Sequence, residues 1–158
     1  MKWTNILLPA IGVFFLQLFL VELLSIRGIR PDFLLIFILY MSVARGSFIG
    51  IIMGFILGLL SDFAGTGTSF GLSPLTYVLS GYLSGFLSKR YERMIPTYFH
   101  LTWIGIVLIH FLIFSYIQYQ VLFNIDLLSW IQQWLLVSAY TLGFIWILQY
   151  IFPLVRHE

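Results

Sequence analysis

The sequence predicts an all-α integral membrane protein with six transmembrane helices and both termini in the cytoplasm. Of the 158 residues, 61% are hydrophobic and only 9% are charged, whereas a soluble domain carries roughly 25% charged residues. The mean hydropathy is +1.02. So little polar surface cannot cover a water-soluble globule, and so much apolar surface equally excludes disorder. The apolar runs leave almost no sequence over, so we expect residues 1–158 to form a single membrane domain.

Composition also narrows the chemistry. Cysteine is absent, which excludes disulfides, thiol nucleophiles and thiolate metal sites. The formal charge of +2 rests on few groups and gives no argument for nucleic acid. Because nucleophile-elbow, P-loop and dinucleotide motifs are all missing, we expect no enzyme activity, cofactor or metal. His100 and His110 are ten residues apart, which does not suit a shared metal, so we expect His110 to hydrogen-bond across the bundle.

Six apolar runs define the helices. Arg30-Pro31 ends the first run, because proline disfavours helical backbone in the residue before it. The runs before and after Arg45-Gly46 are short for a ~30 Å hydrocarbon core, so they form either two helices or one long helix. A single helix would place Arg45 at mid-membrane at a cost of at least about 2.5–3.5 kcal/mol, which favours two. The predicted helices span about 5–24, 33–44, 47–60, 72–87, 97–117 and 128–152, with a polar connection over 118–126.

Charge placement gives the orientation, because cytoplasmic loops carry an excess of Lys and Arg. With six helices and a cytoplasmic N-terminus, only Arg27 and Arg30 lie outside. Six basic residues then lie inside: Lys2, Arg45, Lys89, Arg90, Arg93 and Arg156. The best five-helix alternative places five basic residues inside and two outside, and it leaves Arg45 within the membrane. Six helices are therefore favoured.

Glycines recur every four residues in the third predicted helix. The row comprises Gly46, Gly50, Gly54 and Gly58, and Asp62 continues it; Gly81 and Gly85 form a weaker row in the fourth helix. Small residues allow close approach of helix backbones in membranes. We favour packing within the bundle, and the alternative is a groove that receives a partner's membrane helix.

Two charged groups stand apart from the apolar runs. The outer polar motif comprises Arg27, Arg30, Pro31, Asp32 and Asp62. We favour a weak interfacial ion pair there, of the kind typical of exposed charges; the alternative is an outward polar site for a solute or a periplasmic partner. The cytoplasmic basic cluster comprises Lys89, Arg90 and Arg93. It is interpreted as a topology determinant attracted to anionic lipid by about 1 kcal/mol per charge, with contact to a cytoskeletal filament as the alternative.

An ordered set of motifs resembles the MreD family of rod shape-determining membrane proteins. It runs from Arg30-Pro31-Asp32 through Arg45-Gly46 and the glycine row to Asp62, and continues with Gly71-Leu72 and Ser80-Gly81-Tyr82. The resemblance is specific over 30–90. It implies a non-enzymatic scaffold in the bacterial cytoplasmic membrane, which binds MreC and through it meets RodA, a penicillin-binding transpeptidase and MreB.

The resemblance also implies a fold similar to the substrate-binding subunits of energy-coupling-factor transporters. That similarity supplies the alternative function, a vitamin-binding transporter subunit. Such a subunit needs a small-residue face on its first helix for the energising partner. Here the first helix offers only Ala10 and Gly12, which are too close together. A small channel ranks lower, because the polar residues of the last helix are scattered.

Overall fold

The computed structural model describes residues 4–65, 69–88, 90 and 94–151. Every named element within these residues is a helix. The helices are α1 (Thr4–Leu23), α2 (Phe33–Arg45), α3 (Ser47–Phe63), α4 (Leu72–Gly85), α5 (Pro96–Gln118), α6 (Gln120–Ile125) and α7 (Leu127–Ile151).

A tight turn separates α1 from α2. The Ile26 and Ile29 amides each donate to the other residue's carbonyl oxygen, at 3.1 and 2.9 Å. This closure places Arg27 and Gly28 at φ values of 51° and 83°, the left-handed region that glycine adopts without strain. Pro31 follows as a buried residue, and Asp32 caps the start of α2.

The chain breaks between α2 and α3 at Gly46, so the structure has two helices where one long helix was the alternative. Gly46 has φ 92° and ψ 171°, which lies outside helical backbone. Its amide still donates to the Ser42 carbonyl at 2.8 Å, which closes the last turn of α2. Arg45 is exposed at this break and is therefore not held inside a continuous helix.

Two predicted connections differ in the structure. The third predicted helix was expected to end at residue 60, but α3 continues to Phe63, so Asp62 is helical, whereas α4 begins at Leu72 as predicted. The polar connection predicted over 118–126 is wrong, because the short helix α6 occupies Gln120–Ile125. Leu122 and Phe123 are half-buried there, and Phe123 packs edge-on against Trp130 of α7. Packing of these apolar side chains explains why the segment is helical although its ends are polar.

The centre of the molecule is α2. Its residues from Leu34 to Leu39 are all buried, and it packs against α1, α3, α4 and α7. The most extensive helix contact is between α3 and α4, and α4 also packs on α5. In contrast α7 packs mainly on α5, where the indole nitrogens of Trp130 and Trp134 donate to the Ser115 and Leu108 carbonyls, both at 3.1 Å.

Three of the described helices are long and apolar enough to cross a membrane: the windows Ile6–Leu23, Pro96–Gln118 and Leu127–Ile151. The other principal helices are shorter, at 13 residues in α2, 17 in α3 and 14 in α4. The structure thus supports a membrane protein with three candidate spans, against the six predicted from the sequence.

Candidate functional site

The glycine row of α3 lies against α4. A Cβ built on Gly54 would lie 2.7 Å from the carbonyl carbon and oxygen of Tyr77, closer than real Cβ atoms approach. Gly58 meets the backbone of Ser73 and Pro74 in the same way, and Gly50 and Gly81 meet each other. Gly85 lies against Ser47. These five glycines therefore let two helix backbones touch, and we call the contact the glycine seam.

Gly46 is not part of the glycine seam. A Cβ there would meet nothing within 4 Å, and its positive φ serves the turn between α2 and α3. Within the seam itself, α4 of the same chain occupies the space that a partner's helix would need. The seam glycines thus act in folding, and a docking surface has to be sought on another face.

Asp32 is the centre of a polar network at one end of the bundle. Its Oδ1 accepts a hydrogen bond from the Leu35 amide at 2.8 Å, which caps α2. Its Oδ2 accepts from the Tyr77 hydroxyl at 2.8 Å and lies 3.8 Å from His110 Nε2. The Asp32 amide donates to Thr141 Oγ1 at 3.3 Å. One residue thereby joins the start of α2 to α4, α5 and α7.

His110 extends the network into the bundle. Its Nδ1 lies 2.9 Å from Ser80 Oγ, and the ring stacks on Tyr77 with centroids 5.3 Å apart. Phe114 covers the other side at 6.4 Å. The hydrogen bond between α5 and α4 confirms the expectation that His110 bonds across the bundle. Because each polar atom removed from water needs a partner, the network fixes how these helices meet.

The ion pair expected in the outer polar motif is not formed among the described residues. There the only approach of an acidic side chain to a basic one within 4.0 Å is that of Asp32 to the buried imidazole of His110, while Arg27 and Arg30 are exposed. Asp62 is buried, and its Oδ2 accepts from the Gly71 amide, which ties the end of α3 to the start of α4. Burial explains the difference, since Asp32 and Asp62 accept hydrogen bonds from Tyr77 and the Gly71 amide, whereas both arginines remain in contact with solvent.

A cavity of about 490 Å³ opens beside this network. It lies where α1, α3 and α5 end and where α2, α4 and α7 begin. Charged side chains of both signs line it, namely Glu22, Arg30 and Asp32. Tyr77, Phe111 and Phe114 supply aromatic walls. Arg30, Pro31 and Asp32 of the outer polar motif line the cavity. Its geometry therefore resembles an outward polar site for a solute or a periplasmic partner, which was the less favoured interpretation of that motif.

The basic cluster is described only in part. Arg90 is exposed just beyond α4, and its amide donates to the Leu87 carbonyl at 3.3 Å. Lys89 and Arg93 lie outside the described residues. The structure therefore adds an exposed position for one of the three charges.

Tyr77 and Thr141 are site residues that the sequence analysis missed. A signal for Tyr77 was present, because Ser73, Thr76, Ser80 and Ser84 form a polar row at helical spacing along α4. All four are buried, so the row marks the face that Tyr77 shares. The signal for Thr141 was weaker, since Ser138 alone precedes it as a buried hydroxyl residue at helical spacing on α7. Metal chemistry has no support in the described part of the chain, where no group of three potential ligands converges.

The fold and its buried polar network define a class of protein. It is a helical membrane protein whose polar side chains face the interior of the helix bundle, because contact with lipid would be unfavourable for them. A family model, rod shape-determining protein MreD, matches residues 2–155. The chain therefore belongs to the MreD family, which gives it a role in determining rod cell shape. Comparison with curated proteins found no match, and comparison with solved structures found none either.

Proposed function

We propose that the chain is a non-enzymatic adaptor of the cell-elongation complex in the bacterial cytoplasmic membrane. It binds MreC and helps position or regulate peptidoglycan synthesis, and through MreC it meets RodA, a penicillin-binding transpeptidase and MreB. The observation that carries the proposal is the family match over residues 2–155. A protein with this role needs a membrane face that is free for a partner.

Six membrane crossings, with both termini cytoplasmic, suit this role. The support is that the ends of three helices and the beginnings of three others line one cavity, as alternating crossings require. The short helix α2 is enclosed by other helices, so its length need not match the lipid thickness. The alternating six-span topology extends the three candidate spans that length and hydropathy alone give.

Single cysteines test the topology, because the natural chain has none. Arg27→Cys and Arg45→Cys are labelled in intact spheroplasts with a membrane-impermeant maleimide. We expect labelling at residue 27 and protection at residue 45 until the membrane is permeabilised. Equal labelling at both positions would contradict six alternating crossings.

For the MreC membrane helix we propose one face of α7. Its exposed residues follow the 4-3-4-3-4 spacing of a helix that packs along a partner. This α7 stripe comprises Gln132, Leu136, Ala139, Gly143, Trp146 and Tyr150. At its centre Ala139 and Gly143 are four residues apart, and a Cβ on Gly143 would meet nothing within 4 Å. Small residues at this spacing allow the close approach by which membrane helices associate.

The exposed side of α1 is a poorer candidate. It presents bulky residues, with Leu8, Phe15 and Phe19 at 78%, 52% and 71% exposure. Long apolar side chains pack as well against lipid as against another helix, so this side needs no partner. Gly12 is the exception, since it is exposed and a Cβ there meets nothing within 4 Å. It therefore supplies a matched control for Gly143.

The test is affinity purification of the full chain in mild detergent from its native host, with co-purified proteins identified by mass spectrometry. We expect MreC from the wild type, and a loss of about tenfold for Gly143→Leu, equal to about 1.4 kcal/mol of binding. Gly12→Leu retains MreC. Wild-type recovery of MreC from Gly143→Leu would remove the α7 stripe as its docking face.

The transporter alternative keeps one supporting observation, the cavity of about 490 Å³ at the polar network. Against it, Ala10 of α1 is buried at 4% exposure and is not available to an energising partner. The same purification separates the two functions. Recovery of a membrane coupling subunit with paired ATPases, in place of MreC, would overturn the adaptor proposal.

A further inference from the structure

The cavity between the helix ends has the dimensions of a small-molecule site. Its volume of about 490 Å³ falls within the roughly 300–1,000 Å³ typical of ligand pockets. Its inner wall is rigid, because Asp32 and Tyr77 are hydrogen-bonded to each other at 2.8 Å and Asp32 also caps α2. Such pre-formed polar groups bind a ligand without the loss of side-chain freedom that a mobile wall entails.

The charges of the cavity are arranged for a ligand that carries both signs. Glu22 and Arg30 line it and are exposed, and among the described residues neither lies within 4.0 Å of an opposite charge. Asp32 adds a second carboxylate whose side chain is 14% exposed. An ammonium group therefore finds two carboxylates, and a carboxylate or phosphate finds a guanidinium in the same cavity.

One wall of the cavity is apolar and aromatic, whereas Gln17, Ser61, Ser73 and Gln133 add neutral polar groups to the lining. Phe111 and Phe114 of α5 line the cavity together with Val21 and Val137. Phe114 is held in place by stacking on His110, with centroids 6.4 Å apart. Aromatic faces attract cations and also bury apolar groups, so this wall suits an ammonium group that is attached to an apolar body.

We propose that this cavity binds a small zwitterion, with its ammonium group at Glu22 and Asp32, its anionic group at Arg30 and its apolar part against Phe111 and Phe114. Two sources have this chemistry: a free amino acid or short peptide, and the ethanolamine headgroup of a phospholipid. The site is independent of MreC binding, so the adaptor proposal and the ligand site can fail separately.

The test uses the full chain in phosphatidylglycerol nanodiscs and three matched probes, followed by isothermal titration and saturation-transfer NMR. Phenylalanine carries both charges, 2-phenylethylamine lacks the carboxylate and 3-phenylpropionate lacks the ammonium group. We expect phenylalanine to bind most tightly. Arg30→Gln weakens phenylalanine about five- to tenfold, the effect of one charge-assisted hydrogen bond at a partly exposed site, and leaves 2-phenylethylamine unchanged. Glu22→Gln weakens both amines and spares 3-phenylpropionate.

A variant that fills the cavity controls for binding elsewhere. Val137→Trp narrows the cavity without altering its charges, whereas Val121→Trp places the same ring on an exposed position of α6 that does not line it. We expect loss of phenylalanine binding in the first variant only. Nanodiscs that also contain phosphatidylethanolamine separate the sources: competition with phenylalanine identifies the headgroup, and unchanged affinity identifies the free zwitterion. The proposal is overturned if phenylalanine does not bind, binds no better than 2-phenylethylamine, or binds equally to Val137→Trp.

Discussion

The two halves of the molecule use the same residue types for different purposes. In the half formed by α2–α4, a Cβ on Gly54 would lie within 3 Å of the α4 backbone, and Asp32 is hydrogen-bonded to Tyr77 inside the bundle. In the half formed by α5–α7, Gly143 is exposed and a Cβ on it would meet nothing within 4 Å, and Asp126 lies at the surface. Residue type and spacing therefore do not decide a role in this chain. The surroundings of the side chain decide it, and paired substitutions in the two halves test that conclusion.

The largest effect is expected at Gly54. A side chain there collides with the Tyr77 and Val78 backbone at 2.7–2.9 Å, and no rotamer relieves a clash with backbone atoms. Gly54→Ala should lower stability by about 1–3 kcal/mol, the usual range for overpacking, and Gly54→Leu should yield no folded protein. Thermal unfolding in detergent and expression level measure this, and Gly105→Ala, where a Cβ meets nothing within 4 Å, is the control. Full stability of Gly54→Leu would disprove the tight seam.

The second-largest loss of stability is expected for substitutions of Asp32. Asp32→Ala removes the cap of α2 and leaves the buried Tyr77 hydroxyl without its acceptor, so we expect a loss of about 2–3 kcal/mol. Asp32→Asn keeps an oxygen for the Leu35 amide and loses only the second acceptor, so its loss is smaller. Thermal unfolding of the two variants separates the cap from the tyrosine bond. Equal stability of Asp32→Ala and wild type would mean that the network does not hold the helix ends together.

Asp126 is the surface counterpart of Asp32. Its carboxylate accepts from the Ser129 hydroxyl and from the Leu128 and Ser129 amides at the start of α7. These hydrogen bonds hold the pKa of Asp126 below its ordinary value, and the bond from the Ser129 side chain has the largest effect. A lowered carboxyl pKa stabilises the fold above the ordinary aspartate value, and this contribution is lost as pH falls through the lowered pKa.

We therefore expect Asp126→Asn to reduce stability at neutral pH by less than Asp32→Ala does, because Asp126 is exposed. The difference from wild type should shrink below about pH 4, the ordinary aspartate range. Thermal unfolding of both proteins from neutral to acidic pH measures it. A difference that stays constant across this range would show that the carboxylate charge at Asp126 contributes nothing.

Much of this arrangement could be predicted from the sequence. Apolar runs and their punctuation indicated a helix at each of the six predicted positions, and Gly46 ended α2 because its backbone leaves the helical region. The glycine spacing gave the face of α3 that packs. What the spacing did not reveal was the occupant of that face, since close approach within a chain and between chains needs the same small residues.

The polar network was harder to predict because its members are far apart in sequence. Asp32 and Tyr77 are 45 residues apart, and Asp32 and Thr141 are 109 apart. Local patterns carry no information on such pairs. The expectation of an ion pair between Asp32 and nearby arginines followed sequence proximity, whereas burial selected Tyr77 and His110. Likewise α6 was missed because its six residues are too few for a periodic signal.

The smallest effect on stability is expected at Gly143, and an unchanged stability of the variant would be the informative result. Nothing in the described chain lies within 4 Å of a Cβ there, so Gly143→Leu should change stability by less than about 0.5 kcal/mol, as surface substitutions do. Gly54→Leu and Gly143→Leu are the same substitution at two sites. Comparing their stabilities separates a glycine that packs within the fold from a glycine on an exposed face. If Gly143→Leu leaves thermal unfolding unchanged while MreC is lost from the complex, the face serves a partner. If instead it lowers the unfolding temperature as Gly54→Ala does, α7 packs within its own chain through Gly143, and the distinction between the two halves is lost.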